Sequence, residues 1–299
     1  MKALLALLVV GALAACAAPE MRPVEPPAPR VPSSAVLAAV RAAPEIRALP
    51  TDLTPALPAA AEDIGFDNEK CEAAPAADRV EACVFGDPAS AYLVMLYGDS
   101  YAGMWLPAMI EIAELRHWRL QFYGKPACPA PRIAAGAACD RFRDFVLGEV
   151  RAGRPDLVIV TSGSYGRVTA ERWQAGFVRT LAALRRPGSR VLVLGDLPVL
   201  NRSAPDCLAG SPVRACATGR AAATAFHGAG RAAAKATGSG YLPVLPWLCS
   251  AVCTPVIGDV LVYRNRFQLT ATYTRMLTGV LEEALLTANP TAPRGDAVG

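Results

Sequence analysis

Residues 92–109 read YLVMLYGDSYAGMWLPAM: an apolar run that stops abruptly at Gly98-Asp99-Ser100 and resumes with helical spacing. A short apolar run ended by a turn signal is a buried strand, so the pattern predicts a strand over 92–96 and a helix over 104–115. Trp105, Met109, Ile112 and Leu115 would share one face of that helix. A chain built this way must turn sharply between the two elements and deliver Ser100 to a helix N-terminus. There the backbone N–H groups and the positive end of the helix dipole favour a developing oxyanion.

The rest of the chain repeats the alternation. Further strands are expected at 119–123, 156–161 (DLVIVT), 190–194 (RVLVL) and 241–245. Helices are expected at 33–49, 141–152, 170–184, 220–235 and 270–286, the last capped by Thr270. Residues 128–139 and 205–216 read as loops. Val/Ile/Leu-rich strands separated by helices imply a parallel sheet covered on both faces. The fold class is therefore α/β, a three-layer α/β/α sandwich with a central parallel sheet, flavodoxin-like. In such sheets sites lie beyond the carboxyl ends of the strands. Ser100, residues 162–165, Gly195-Asp196 and the loop before the last helix all fall there.

The chain has 299 residues, and its net charge of +4 comes from scattered basic residues with no Lys/Arg run among aromatics. This argues against a nucleic-acid partner. Met1-Lys2 and the apolar run 3–15 fit a signal peptide, too short to span a bilayer. The run ends in Leu13-Ala14-Ala15-Cys16, which resembles the lipobox of bacterial lipoproteins. That resemblance implies lipidation at Cys16 and an exported, membrane-anchored chain facing the periplasm or the cell exterior; ordinary secretory cleavage after Ala14 is the alternative. Proline-rich residues 16–36 read as a stiff tether, and 37–64 as an irregular lead-in with a short helix. Nine cysteines in an exported chain suggest disulfides, and without Cys16 eight remain, which allow 105 connectivities. They fall in close pairs bracketing short loop-like stretches, so Cys71–Cys83, Cys128–Cys139, Cys207–Cys216 and Cys249–Cys253 are expected; zinc at Cys249 and Cys253 is the rival. No nucleotide fingerprint is present, and neither a cofactor nor a metal is expected.

At Gly98-Asp99-Ser100 the chain resembles the SGNH (GDSL-like) hydrolases, specifically the extracytoplasmic SGNH domain associated with bacterial membrane O-acyltransferases. The resemblance covers residues 65–287 and leaves 288–299 as a disordered tail. It is carried by Cys83-Val84-Phe85-Gly86-Asp87, Trp105-Leu106-Pro107-Ala108, Lys125-Pro126-Ala127-Cys128-Pro129, Gly195-Asp196-Leu197-Pro198, and Val262-Tyr263-Arg264 followed by Leu269-Thr270-Ala271-Thr272-Tyr273. It implies an acyl-ester hydrolase or O-acyltransferase acting on cell-envelope glycans, with Ser100 as nucleophile and a membrane acyltransferase as a possible partner. The family places an aspartate and a histidine where this chain has Asn265 and Gln268, and commonly a histidine where it has Tyr101. A serine is a poor nucleophile without a base, and a glutamine amide is neither acid nor base near neutral pH. Losing the orienting aspartate alone costs about 10⁴ in well-studied triads. A catalytically inactive module that binds acylated glycan or an acyltransferase partner is therefore the alternative, with a purely structural envelope protein as a third reading.

The remaining candidates follow from position. Oxyanion donors are the Ser100 amide, Gly124 after the second strand, and Ser162 or Ser164 after the third. The two histidines, His117 and His227, fall outside the expected site. Asp99, Asp196 and Asp259 are carboxylate stand-ins, with Asp99 read as a brace for the turn. Tyr165, Trp173 and Trp247 offer sugar-stacking faces, with core packing as the commoner use of any one of them.

Overall fold

The computed structural model describes residues 30–163, 168–224 and 227–293. The expected targeting segment, Cys16, most of the tether, Ser164 and Tyr165 lie outside them.

The strands form where apolar residues run without interruption. β1 (Cys83–Gly86), β2 (Leu93–Gly98), β3 (Arg119–Gly124), β4 (Leu157–Thr161), β5 (Arg190–Leu194) and β6 (Gly240–Leu242) make one sheet, in the order β1-β3-β2-β4-β5-β6. Five are parallel, and β1 runs antiparallel to β3 at the edge. The sheet is thus mixed rather than wholly parallel. β1 is short and puts Val84 45% exposed at the rim, so its four residues carry little of the pattern that betrays a strand.

Side chains alternate across the sheet with the period of two that a pleated strand dictates. Val94, Leu96, Leu157, Ile159, Leu192 and Leu194 enter one core; Leu93, Met95, Tyr97, Val158, Val160, Val191 and Val193 enter the other. The first core is roofed by α1 (Ser33–Ala42), α2 (Ser100–Arg116), α6 (Ala271–Met276) and α7 (Thr278–Ala288). The second is roofed by α3 (Ala137–Gly153), α4 (Ala170–Leu184) and α5 (Ala229–Thr237). β2 leads through α2 to β3 on one side, whereas β4 leads through α4 to β5 on the other. The chain direction therefore switches between β2 and β4, where an open α/β sheet forms its crevice.

Several boundaries differ from the sequence expectation, each for a local reason. The helix expected over 220–235 is broken, because Gly228 adopts φ +107 before α5 begins. The closing helix kinks at Leu277, between α6 and α7. The loop expected at 205–216 contains a short helix, Ala204–Leu208, and a 3-10 turn, Val213–Cys216. Leu115, placed by periodicity on the buried face of α2, is 40% exposed, since ten residues on from Trp105 the helix has carried it about 80° round its axis. Asn289 and Ala292, expected in a disordered tail from 288, are buried, and the Trp118 indole N–H donates to the Pro293 carbonyl at 3.0 Å. No described helix is long and apolar enough to cross a membrane.

All four disulfides join sequence neighbours, Cys71–Cys83, Cys128–Cys139, Cys207–Cys216 and Cys249–Cys253. The last leaves no thiolate there for zinc. The lead-in is part of the body rather than a loose leader. Val36 and Val40 of α1 are buried, and Glu282 of α7 accepts from Arg30 and, at 2.5 Å, from Arg116. Replacing Val36 with Ala removes two buried methyl groups, so it should cost roughly 1.5–3 kcal/mol. The check is a denaturant titration showing a lower midpoint with an unchanged slope; an unchanged midpoint would mean that α1 contributes nothing to the fold.

Candidate active site

β2 ends at Gly98, which sits opposite Gly124 of β3 and Thr161 of β4. A Cβ at Gly98 would lie 2.0 Å from the Thr161 carbonyl oxygen, so only glycine lets the strands approach as the chain leaves the sheet. Asp99 then caps α2. It is fully buried, and its carboxylate accepts from the Tyr101 amide (2.9 Å), the Ser162 hydroxyl (2.5 Å) and the Gly163 amide (3.1 Å). One carboxylate thus ties the first turn of α2 to the end of β4, across the switch point. This makes Asp99 a brace rather than a base.

Ser100 follows as the first residue of α2 and is partly exposed. Its amide finds no acceptor among the described residues, as expected for a first-turn N–H, and it remains available to an oxyanion. Ser162 does not: its single hydroxyl proton goes to Asp99, and its oxygen accepts from the Ala130 amide at 3.1 Å. It is a structural link, a correction to its candidacy as an oxyanion donor. Gly124 is at the expected place, with its carbonyl bound to the Ala73 amide at 2.8 Å.

The loop before α6 reaches the same crevice. Phe267 stacks on Tyr101 with ring centroids 6.1 Å apart, and the Leu269 amide lies 2.9 Å from the Met104 sulfur. Asn265 and Gln268 engage each other: the Asn265 side-chain N–H donates to Gln268 Oε1 at 2.7 Å. Asn265 Oδ1 accepts from the amides of Phe267 and Gln268 at 2.9 and 2.8 Å, so it shapes the loop around itself. Neither side chain carries a titratable proton.

The histidines stand elsewhere. His117 closes α2 at its far end, seventeen residues or about 25 Å along the axis from Ser100. His227 bonds through Nε2 to the Leu197 carbonyl at 3.0 Å, beside Asp196, whose carboxyl is pushed up by burial and partly restored by the imidazole. This pair lines a recess with Arg231 and Tyr241, and shares no lining residue with the one that holds Ser100. The aromatic candidates are corrected by packing: Trp173 is 3% exposed, and Trp247 is buried edge-to-face against Trp105, so neither offers a face to a sugar.

The recess that holds Ser100 is about 20 Å³ and is walled by Ile64, Phe66, Asn68, Glu72, Gly103, Met104, Arg264, Leu269 and Ala271. Two of these are charged: Arg264, which belongs to the motif ahead of the loop, and Glu72, which sequence reasoning missed. Burial pushes the Glu72 carboxyl up to about 7, against the opposing pull of the Arg264 guanidinium and with a further push from Asp99. The signal that could have found Glu72 is its place beside Cys71, whose disulfide partner Cys83 opens the edge strand next to β3.

Sheet, switch point and capped serine together define an α/β protein with a hydrolase-type strand–turn–helix. The family model of the SGNH domain (fused to AT3 domains) matches residues 70–283, and the chain belongs to this family. No curated protein matches the sequence. Among solved structures, a carbohydrate acetylesterase family member from Sinorhizobium meliloti aligns at 17% identity with a TM-score of 0.41, covering 66% of this chain and 98% of that one.

Asp99→Ala would leave three buried donors without an acceptor, a loss on the order of 3 kcal/mol or more. Thermal unfolding should show it as a large drop in midpoint, whereas Asp99→Ala melting with wild type would overturn the bracing role.

Proposed function

We propose that the protein cleaves or transfers short acyl esters on cell-envelope glycans, with Ser100 as nucleophile. The observation that carries this reading is a partly exposed hydroxyl on the first turn of α2, in a recess beyond the carboxyl end of β2 and beside an amide with no acceptor among the described residues. The family supports the choice of an acyl group, since its domain occurs fused to AT3 domains. The small recess, about 20 Å³, favours a short acyl group over a long chain. The glycan then lies outside, over the loop that carries Phe267.

Asn265 and Gln268 stand, in this proposal, where the family keeps its orienting acid and its base. Their mutual hydrogen bond favours a second reading, a module that retains the cleft and binds acylated glycan, or an acyltransferase partner, without turnover. A purified full-length chain assayed on activated acetate, butyrate and octanoate esters separates the two. Ester cleavage requires turnover that falls by at least about 10²-fold in Ser100→Ala and decreases from acetate to octanoate. Restoring the pair in Asn265→Asp/Gln268→His should raise the rate by about 10²-fold or more, the usual contribution of a positioned base. Absence of turnover in both wild type and the restored variant would leave the binding module.

The same proposal places the chain outside the cytoplasm, anchored to a membrane through lipid on Cys16 and held off it by the proline-rich segment that follows. Fractionation tests it: Cys16→Ser should move the protein from the membrane to the soluble fraction, and continued membrane association of that variant would refute the anchor.

A further inference from the structure

Among the described residues Glu72 is the one carboxylate lining the Ser100 recess, and its backbone is held from several sides. It follows the short helix Asn68–Cys71, whose last residue is bonded to Cys83 of β1. It pairs as an isolated bridge with Gly124, and the next amide, Ala73, donates to the Gly124 carbonyl at 2.8 Å. Lys125 gives its ammonium protons to the carbonyls of Ala74, Pro75 and Ala77 at 2.6, 2.9 and 2.9 Å, clamping the chain just beyond it. The side chain has no such commitments. Among the described residues Glu72 makes no side-chain hydrogen bond and no ion pair, whereas Glu282 and Asp99 are fully engaged.

Its carboxylate faces α2 one turn below Ser100. A Cβ at Gly103 would lie 2.8 Å from Glu72 Oε1. Ser100 and Gly103 are i and i+3 on the same face, with Cβ positions about 5–6 Å apart. Oε1 therefore lies no more than about 9 Å from the Ser100 Cβ, and both residues line one recess of about 20 Å³, which has room for water between them. The missing side chain at Gly103 is what gives the carboxylate its room.

We propose that Glu72 is the proton acceptor for Ser100, standing in for the imidazole that the loop of Asn265 and Gln268 does not supply. The inference rests on the ester-cleaving reading above. As Ser100 Oγ attacks the acyl carbon, its proton passes to the Glu72 carboxylate. The oxyanion collapses, the bond to the sugar oxygen breaks, and that oxygen leaves with the proton from Glu72. Water then attacks the acyl-serine and gives its proton to Glu72, which returns it to Ser100 Oγ as the acid departs. The sum is ester plus water giving acid plus alcohol, with Ser100 and Glu72 regenerated. When a second sugar hydroxyl replaces water the same steps give transfer.

The charges facing Glu72 are Arg264 from the loop before α6 and Asp99 from the cap of α2; Asp63 and Glu62 act on Arg264. A carboxyl poised near 7 is matched to this task, because it is ionised enough to accept a proton yet basic enough to hold one. The sign follows. Glu72 must be ionised to act, so the rate rises with pH through about 7 and then levels. The folded state holds this proton more tightly than the unfolded chain, whose carboxyl has its ordinary value of 4.5. Glu72 therefore lowers stability as pH climbs from 4.5 to 7, and Glu72→Gln should melt at or above wild type at pH 8.

The test measures the reactivity of Ser100 itself, by mass-spectrometric detection of fluorophosphonate labelling, together with acetate-ester turnover, from pH 5 to 9 on the full chain. Wild type should show one rising limb near pH 7 in both. Glu72→Gln should lose at least about 10²-fold and the limb with it, while Glu72→Asp keeps a titrating limb at a lower plateau. If Ser100 labels in wild type and Glu72→Gln keeps the same pH profile, Glu72 is not the acceptor and the ester-cleaving reading stands. A uniform loss that preserves the limb would make Glu72 structural and overturn the inference. If wild type labels no more than Ser100→Ala, both readings fall together.

Discussion

The buried carboxylate of Asp99 is the interaction on which the arrangement depends. A carboxylate in an apolar interior is costly unless its acceptor sites are filled. Here they are filled from two separate elements, the first turn of α2 and the end of β4. Satisfying that one charge sets where the helix begins relative to the sheet, and so where Ser100 points. The close approach at Gly98 and the shared position of Thr161 complete the joint. The serine is thereby fixed by the fold's own polar accounting rather than by contacts with a substrate.

Much of the fold was legible because it rests on local rules. β2, β4 and β5 are short apolar runs with turn residues at their ends, and α4 and β5 fall at the residues that their periodicity marks. Disulfides between neighbours follow from spacing, which tertiary structure had only to permit. What escaped was set by three-dimensional context. β1 is too short and too exposed to alternate visibly, and its antiparallel pairing with β3 leaves no local mark in its four residues. The stretch after α7 is tied down by Tyr92, which bonds Asn289, and by Trp118, which bonds the Pro293 carbonyl, both far away in sequence.

The site divides in the same way. Ser100 could be placed at the start of a helix from motif order, and Asp99 could be read as a brace from its position before the helix. Ser162 could not be disqualified without seeing its proton directed to Asp99. Trp173 and Trp247 look alike as candidates in sequence, and only packing shows that both are interior. Glu72 belongs to no motif. It lies nearly thirty residues before the serine, and only the bridge to Gly124 and the gap at Gly103 make it a neighbour.

The bond between Cys71 and Cys83 has a further consequence. Glu72 is covalently adjacent to it, so the position of that carboxylate relative to α2 is conditional on the sulfurs being joined. In a thiol-rich cytosol the bond stays open, and the segment bearing Glu72 loses its covalent tie while keeping its backbone bridge and the Lys125 contacts. Ser100 is fixed by Asp99 without any cysteine in that joint. The two halves of the recess therefore depend on different chemistry: the serine half needs only the sheet and one carboxylate, whereas the Glu72 half also answers to the oxidation state of two sulfurs.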